Sequence, residues 1–368
     1  MTAFSSELRR QKSAAFNLQT TSTARQTVRL RLFGRPVDVY ANANLSIYSA
    51  QTCNARCPFC VEELRPLSRG RSLAVQKTIE TDDERYFSRL GEVLNEVAPL
   101  APTISITGGE ASKDPRLPRL LRMLSERNAK KLTVTTNGSG LLDVVEGRTI
   151  VAWMADSRLA HLNISRAHPD CERNAQLMGY REGLSLAETQ QALGAIGQQT
   201  RPRLSCVLLR RGVSDFNAIV DYLRFAESIG VDNVIFRQLM QSDLTTHERG
   251  PVVRFSDAER VFLEPILEQI SESEEFEFQR QIVGYYYYVE VWKWRGLDVV
   301  FEEADLAQLE RTKALDSVVH ELIYHPNATL SSTWQPWDGQ LQSSSIPYGL
   351  TSSAAAENGT IVPSVIAT

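Results

Sequence analysis

Three cysteines stand close together in this chain, Cys53, Cys57 and Cys60, within the run Gln51-Thr52-Cys53-Asn54-Ala55-Arg56-Cys57-Pro58-Phe59-Cys60. Thiolates are soft ligands, and at such short spacing their chemistry is metal binding, to an iron–sulfur cluster or to zinc. Both usually want four protein ligands, and the run supplies three. For zinc the fourth would come from Cys171, Cys206, His161 or His168, and only Cys57 and Cys60 have the spacing of a zinc knuckle. Three ligands to a [4Fe–4S] cluster leave one iron open, which suits a catalyst that binds substrate at iron. The chain has five cysteines, an odd number with three of them clustered, and this is not a disulfide framework. Cys206 alternates within an apolar strand and reads as a small core residue, and Cys171 as a bystander thiol in a polar loop.

The elements that position this loop follow from periodicity. The apolar run Leu45–Ser49 leads straight into it and reads as a strand, which puts the thiols at the strand's C-terminal end. Further strands are expected at Thr103–Thr107, Leu132–Thr136, His161–Ser165, Leu204–Leu209 and Asn233–Phe236. Between them Asp83–Val97, Pro115–Arg127, Ser185–Ile196 and Phe216–Ser228 have apolar residues three and four apart, as amphipathic helices do. Alternating strands and helices predict an α/β fold, a partial (β/α)6 TIM-like barrel whose βα loops build the site on one face. After about residue 240 the pattern changes: a helix over Ser256–Ile270, β-formers over Phe276–Trp294 and a turn at Arg295–Gly296 into Asp298–Phe301. A hairpin over Val318–Tyr324 and Thr329–Trp334, turning at His325–Pro326–Asn327, completes a smaller C-terminal α+β appendage. The expected organisation is therefore a basic, weakly ordered arm over 1–36, the core barrel over 37–240, an extension closing the barrel over 241–341 and a flexible tail over 342–368.

Composition is that of a soluble globular chain, with 42% hydrophobic and 23% charged residues among 368. A net charge of −4 gives no electrostatic footprint for nucleic acid. The arm departs from this balance, holding Arg9, Arg10, Lys12, Arg25, Arg29, Arg31 and Arg35 against Glu7 alone. No apolar run is long enough to span a membrane and the first residues lack a secretory core, so a cytoplasmic location is expected.

The spacing Cys53-x3-Cys57-x2-Cys60, with Phe59 before the last cysteine, resembles the radical S-adenosylmethionine (SAM) superfamily. A second signature stands where that family places it, because the strand Thr103–Thr107 ends in Gly108-Gly109-Glu110. The resemblance covers about residues 44–240 and implies one [4Fe–4S] cluster on Cys53, Cys57 and Cys60. It further implies that the Gly108–Glu110 turn meets the SAM amino group. By strand order it places Asn137, Ser165, Arg166, Ser205 and Gln238 around the SAM ribose, carboxylate and adenine. No cysteine follows Cys206, so no auxiliary cluster is implied.

The implied activity is reductive cleavage of SAM to methionine and a 5′-deoxyadenosyl radical, with an electron from a donor such as flavodoxin or ferredoxin. The radical then takes hydrogen from a small polar biosynthetic substrate, nucleoside- or sugar-like, as in oxygen-sensitive tailoring enzymes of natural-product pathways. Modification of a ribosomally made peptide and activation of a partner protein are the alternatives. His168 and Asp170, on the loop above the fourth strand, are candidate proton donors or substrate contacts. The Tyr285–Tyr288 run with Trp292 and Trp294 reads as core and edge packing, and Trp334, Trp337 and Asp338 as candidates for closing the barrel mouth.

Overall fold

The computed structural model describes residues 4–12, 27–49, 53–61, 79–180, 183–240, 251–315 and 317–342. In chain order its strands are β1 (Thr27–Leu32), β2 (Arg35–Tyr40), β3 (Leu45–Tyr48), β4 (Thr103–Thr107), β5 (Lys131–Thr136), β6 (Val144–Val145), β7 (Arg148–Thr149) and β8 (Leu159–Ser165). They continue with β9 (Arg201–Val207), β10 (Asn233–Arg237), β11 (Phe276–Val283), β12 (Tyr287–Trp294), β13 (Leu297–Ala304), β14 (Leu322–Tyr324) and β15 (Leu330–Ser331). Eleven of them form one sheet in the order β11-β12-β13-β10-β9-β8-β5-β4-β3-β14-β15.

The middle of that sheet is the expected set β3, β4, β5, β8, β9 and β10, each parallel to its neighbours. Alternation explains its two faces. Ile104, Ile106, Leu132 and Val134 are buried in the core under the helices, whereas Ser105, Thr133 and Thr135 point to the other, polar face. The helix Asp83–Glu96 shows how the outer layer is made: Asp82 caps its N-terminus by accepting from the Glu84 and Arg85 amides, and Tyr86, Phe87, Leu90, Val93 and Leu94 form its buried stripe. Helices Leu117–Ser125, Leu186–Ala195 and Phe216–Ser228 occupy the other expected places.

The C-terminal part is hydrogen-bonded into this sheet at both edges. β13 pairs in parallel with β10 and carries the antiparallel strands β12 and β11, while β14 pairs in parallel with β3 and carries β15. Eight consecutive strands, β13 through β14, are thus parallel, and among the described residues no ladder joins β11 to β15 to close a barrel. The expected helix Ser256–Ile270 is two helices, Pro251–Glu259 and Leu263–Glu272. It breaks where Arg260 turns inward, its Nε donating to the Leu239 carbonyl and its Nη2 to that of Met240, each at 3.1 Å. The last hairpin is shorter than expected, with β14 and β15 alone in register.

The weakly ordered arm is corrected in part. Residues 27–36 belong to the β1–β2 hairpin, where Leu30 and Leu32 are buried while Arg29 and Arg31 face out, and Phe33 and Gly34 both take positive φ at the turn. Residues 6–10 form a helix, Ser6–Arg10, against β11 and β12. There Arg9 makes a bidentate pair with Glu290, at 2.6 and 2.8 Å, and both side chains are buried. Residues 13–26, the loop residues Gln51 and Thr52, and the tail from 343 lie outside the described residues. No described helix is long and apolar enough to cross a membrane.

Candidate active site

β3 delivers the chain to the cysteine loop at the C-terminal end of the parallel sheet, as the strand order requires. Two neighbouring loops hold the thiol run. On one side Asn137 donates from Nδ2 to the Asn54 Oδ1 at 2.9 Å, and Asn54 donates to Ser139 Oγ at 3.0 Å. Asn137 Nδ2 also lies 4.0 Å from the Cys53 sulfur. On the other side the Met178 carbonyl accepts from the Arg56 amide at 3.1 Å and from the Cys57 thiol at 3.3 Å. Met178 ends the helix Cys171–Met178, and Gly179 follows at φ +67°, the left-handed cap that lets the chain turn beneath the loop. Phe59 packs with Leu177, Met178, Tyr180, Leu209 and Leu239, which gives the loop its own small core.

Burial first, and then the nearby Cys60 and Cys53 sulfurs, push the Cys57 thiol up to about 12. Among the described residues no three His, Cys, Asp or Glu side chains converge where a single ion would sit. Among the described residues, then, the zinc reading finds no fourth ligand beside the three thiols. Cys206 is fully buried in the core, the Cys171 sulfur accepts from Arg166 Nη2 at 3.2 Å, and His161 lies towards the N-terminal end of β8. A [4Fe–4S] cube sets a different demand, because each thiolate binds its own iron, and sulfurs spread along one loop suit it.

The turn after β4 is rigid. Gly108 and Gly109 have φ of +86° and +56°, and a Cβ on Gly108 would lie 2.3 Å from the Tyr48 ring. Glu110 is 1% exposed, and its carboxylate accepts from Ser112, from the Thr136 hydroxyl and, at 2.7 Å, from the Asn137 amide. It ties the β4 turn to the β5 turn, so its side chain positions Asn137.

A cavity of about 220 Å3 opens beside the cysteines, lined by Cys57, Phe59, Cys60, Ser165, Ser205 and Arg237 among others. Arg166 and Gln238 line it too, so Ser165, Arg166, Ser205 and Gln238, four of the five residues placed by strand order around SAM, meet there with Cys57 and Cys60. Among the described residues two arginines and no acid line it. Arg166 is 5% exposed; its Nη2 donates to the Pro169 carbonyl at 2.7 Å, and its buried Nε has no protein partner. An orphaned guanidinium N–H in a cavity without acids fits a carboxylate such as the one SAM carries.

Three expected roles look different in place. Asp170 caps the helix Cys171–Met178, accepting from the Arg173 amide at 2.8 Å, and His168 Nδ1 accepts from the Asp170 amide at 3.0 Å. Neither lines the cavity. Gln238 spends its amide oxygen on the Leu263 amide at 2.8 Å, at the start of a helix. Cys171 begins a helix and is not in a loop. Asn54, Ser139, Met178 and Gly179 were not anticipated. Only Gly179 left a readable signal, a glycine directly after an apolar pair, as at helix C-termini.

With this geometry in hand, the comparison with protein families bears on the part that holds the site, where the Radical SAM superfamily model matches residues 47–201. Residues 47–201 carry a radical SAM domain. No curated protein sequence matches it. The structure of Streptococcus suis SuiB bound to S-adenosylmethionine is similar at 14% identity and a TM-score of 0.47, covering 80% of this chain and 61% of that one. SuiB bound to its precursor peptide SuiA is similar at 19% identity and 0.43, covering 64% and 46%. Methylornithine synthase (PylB) gives 19% and 0.39, covering 73% and 68%. The chain thus spans about half to three fifths of SuiB's length.

Proposed function

We propose that this radical SAM protein holds one [4Fe–4S] cluster on Cys53, Cys57 and Cys60 and cleaves SAM reductively in the adjoining cavity. The observation that carries the reading is that one cavity is lined both by Cys57 and Cys60 of the three-thiol loop and by buried Arg166, whose Nε has no hydrogen-bond partner among the described residues. Once bound, cluster and SAM would supply a 5′-deoxyadenosyl radical, which takes hydrogen from a substrate C–H bond. The protein's own part is placement and exclusion of water. Arg166 would take the SAM carboxylate, the backbone at Gly108–Gly109 the amino group, and Ser165 and Ser205 the ribose. Leu239, Met240 and Val207 would supply apolar surface for adenine. The substrate is a small polar metabolite of biosynthetic tailoring, and the electron comes from an external carrier such as flavodoxin or ferredoxin.

The test is anaerobic reconstitution with iron and sulfide, followed by SAM and dithionite, with Cys57→Ala alongside. Wild type is expected to bind about four irons per chain and to release 5′-deoxyadenosine, and Cys57→Ala to do neither. Deuterium passing from a candidate substrate into deoxyadenosine then identifies the bond. A fully loaded cluster that leaves SAM intact would overturn the reading, as would zinc in place of iron.

A further inference from the structure

A second cavity, of about 250 Å3, lies between the β2–β3 corner and the turn joining β11 to β12. It gathers Tyr40, Tyr285, Tyr286, Tyr287 and His320 with the carboxylates of Glu302 and Glu321. The rings form a nearly continuous wall. Centroids lie 5.5 Å apart for Tyr40 and Tyr285, and 4.8 Å apart for Tyr285 with both Tyr286 and His320. Among the described residues no lysine or arginine lines this chamber, whereas the cysteine-side cavity has two arginines and no acid. Met240 lines both, so the two chambers share a wall.

The tyrosine run divides between two tasks. Tyr288 turns to the buried ion pair, donating to Glu290 at 2.5 Å, while the three tyrosines before it enter the chamber. The turn is built for this, since a Cβ on Gly284 would lie 2.2 Å from the Tyr287 ring, and the Gly284 amide donates to the Tyr287 carbonyl at 2.8 Å. Each carboxylate already faces a cation outside the lining, Arg237 at 3.2 Å from Glu302 and Lys313 at 2.6 Å from Glu321. The clustered rings add to these carboxylates, because the quadrupole of an aromatic ring favours positive charge over its face.

We infer that this chamber receives an ammonium group of the substrate, with the rest of that molecule directed past Met240 towards the cysteine loop. The inference takes its catalytic meaning from the function proposed above, but its test does not depend on SAM cleavage.

Equilibrium dialysis of labelled choline and of labelled ethanolamine against the reconstituted full-length protein reads it directly. The uncharged choline isostere dimethylbutanol serves as control. At least one of the two cations is expected to bind saturably, about ten-fold more tightly than the isostere. Tyr286→Leu, at a half-buried position, and Tyr285→Leu, at a buried one, are each expected to weaken that binding about ten-fold while far-UV circular dichroism stays native. Equal binding of cation and isostere would overturn the inference, as would no saturable binding of either cation or binding unmoved in folded Tyr286→Leu. Deoxyadenosine release measured on the same wild-type preparation separates a failure here from a failure of the radical reading.

Discussion

A methyl group added at Gly179 would meet the Arg56 carbonyl oxygen at 2.5 Å, and it would do so at a backbone φ of +67° that L side chains rarely adopt. Gly197 offers the comparison, because its φ is +79° with open space around it. Gly197→Ala should cost only the left-handed strain of about 1–2 kcal/mol, whereas Gly179→Ala should cost more and push the cysteine loop off Met178. Thermal melts and iron content after reconstitution check this: both variants melt lower than wild type, and only Gly179→Ala loads less iron. At this scale the cysteines, Phe59 and the Gly108–Gly109 turn were legible, because spacing and residue type alone mark them. Glu110 was legible as a position, but the hydrogen bonds by which it joins two turns were not. A carboxylate reads the same in sequence whether or not it staples two turns together, as Glu110 does.

At the scale of elements, the parallel strands followed from β-branched alternation and the long helices from their apolar stripes. The helix Cys171–Met178 did not, because its residues are short of apolar side chains and its capping aspartate resembles a catalytic one. Gln238 hid a cap in the same way. The polar face of the sheet carries a titrating group with a measurable consequence. Burial and then the charges of Arg203, Lys131 and Arg201 hold His161 down at about 4, from an ordinary 6.5. As pH falls below 6.5 the unfolded chain takes up a proton that the folded chain refuses, so stability should fall until about pH 4 and then level off in this term. Urea titrations across that range should show a shallower pH slope for His161→Gln than for wild type. An unchanged slope would mean that His161 is exposed enough to titrate normally.

The whole molecule is tied together by contacts that no local pattern announces. The short helix near the N-terminus is fixed to β12 by the buried Arg9–Glu290 pair, with Tyr288 and, at 2.9 Å, the Trp292 indole also donating to Glu290. Sequence reading saw only excess basic charge in that segment, because the matching acid stands more than two hundred residues away. Arg9→Met should leave Glu290 without its cation in the interior and cost about 3–5 kcal/mol, measured by chemical denaturation. Arg9→Met with Glu290→Gln should recover much of that loss, since no buried charge is then left alone. The same distance hid the edges of the sheet, where β13 and β14 extend the six expected strands to eight in parallel.

That last pairing bears on how the protein is made. The strand that presents the cysteines is flanked by β4 on one side and by β14 on the other. A chain emerging from the ribosome exposes its three thiols early, yet β14 cannot reach β3 until nearly all the described residues have been synthesised. Through most of synthesis the cysteine strand therefore has a bare edge, open to mispairing and oxidation. For the cluster proposed above, the expectation is that iron enters after translation, once this last pairing has finished the site.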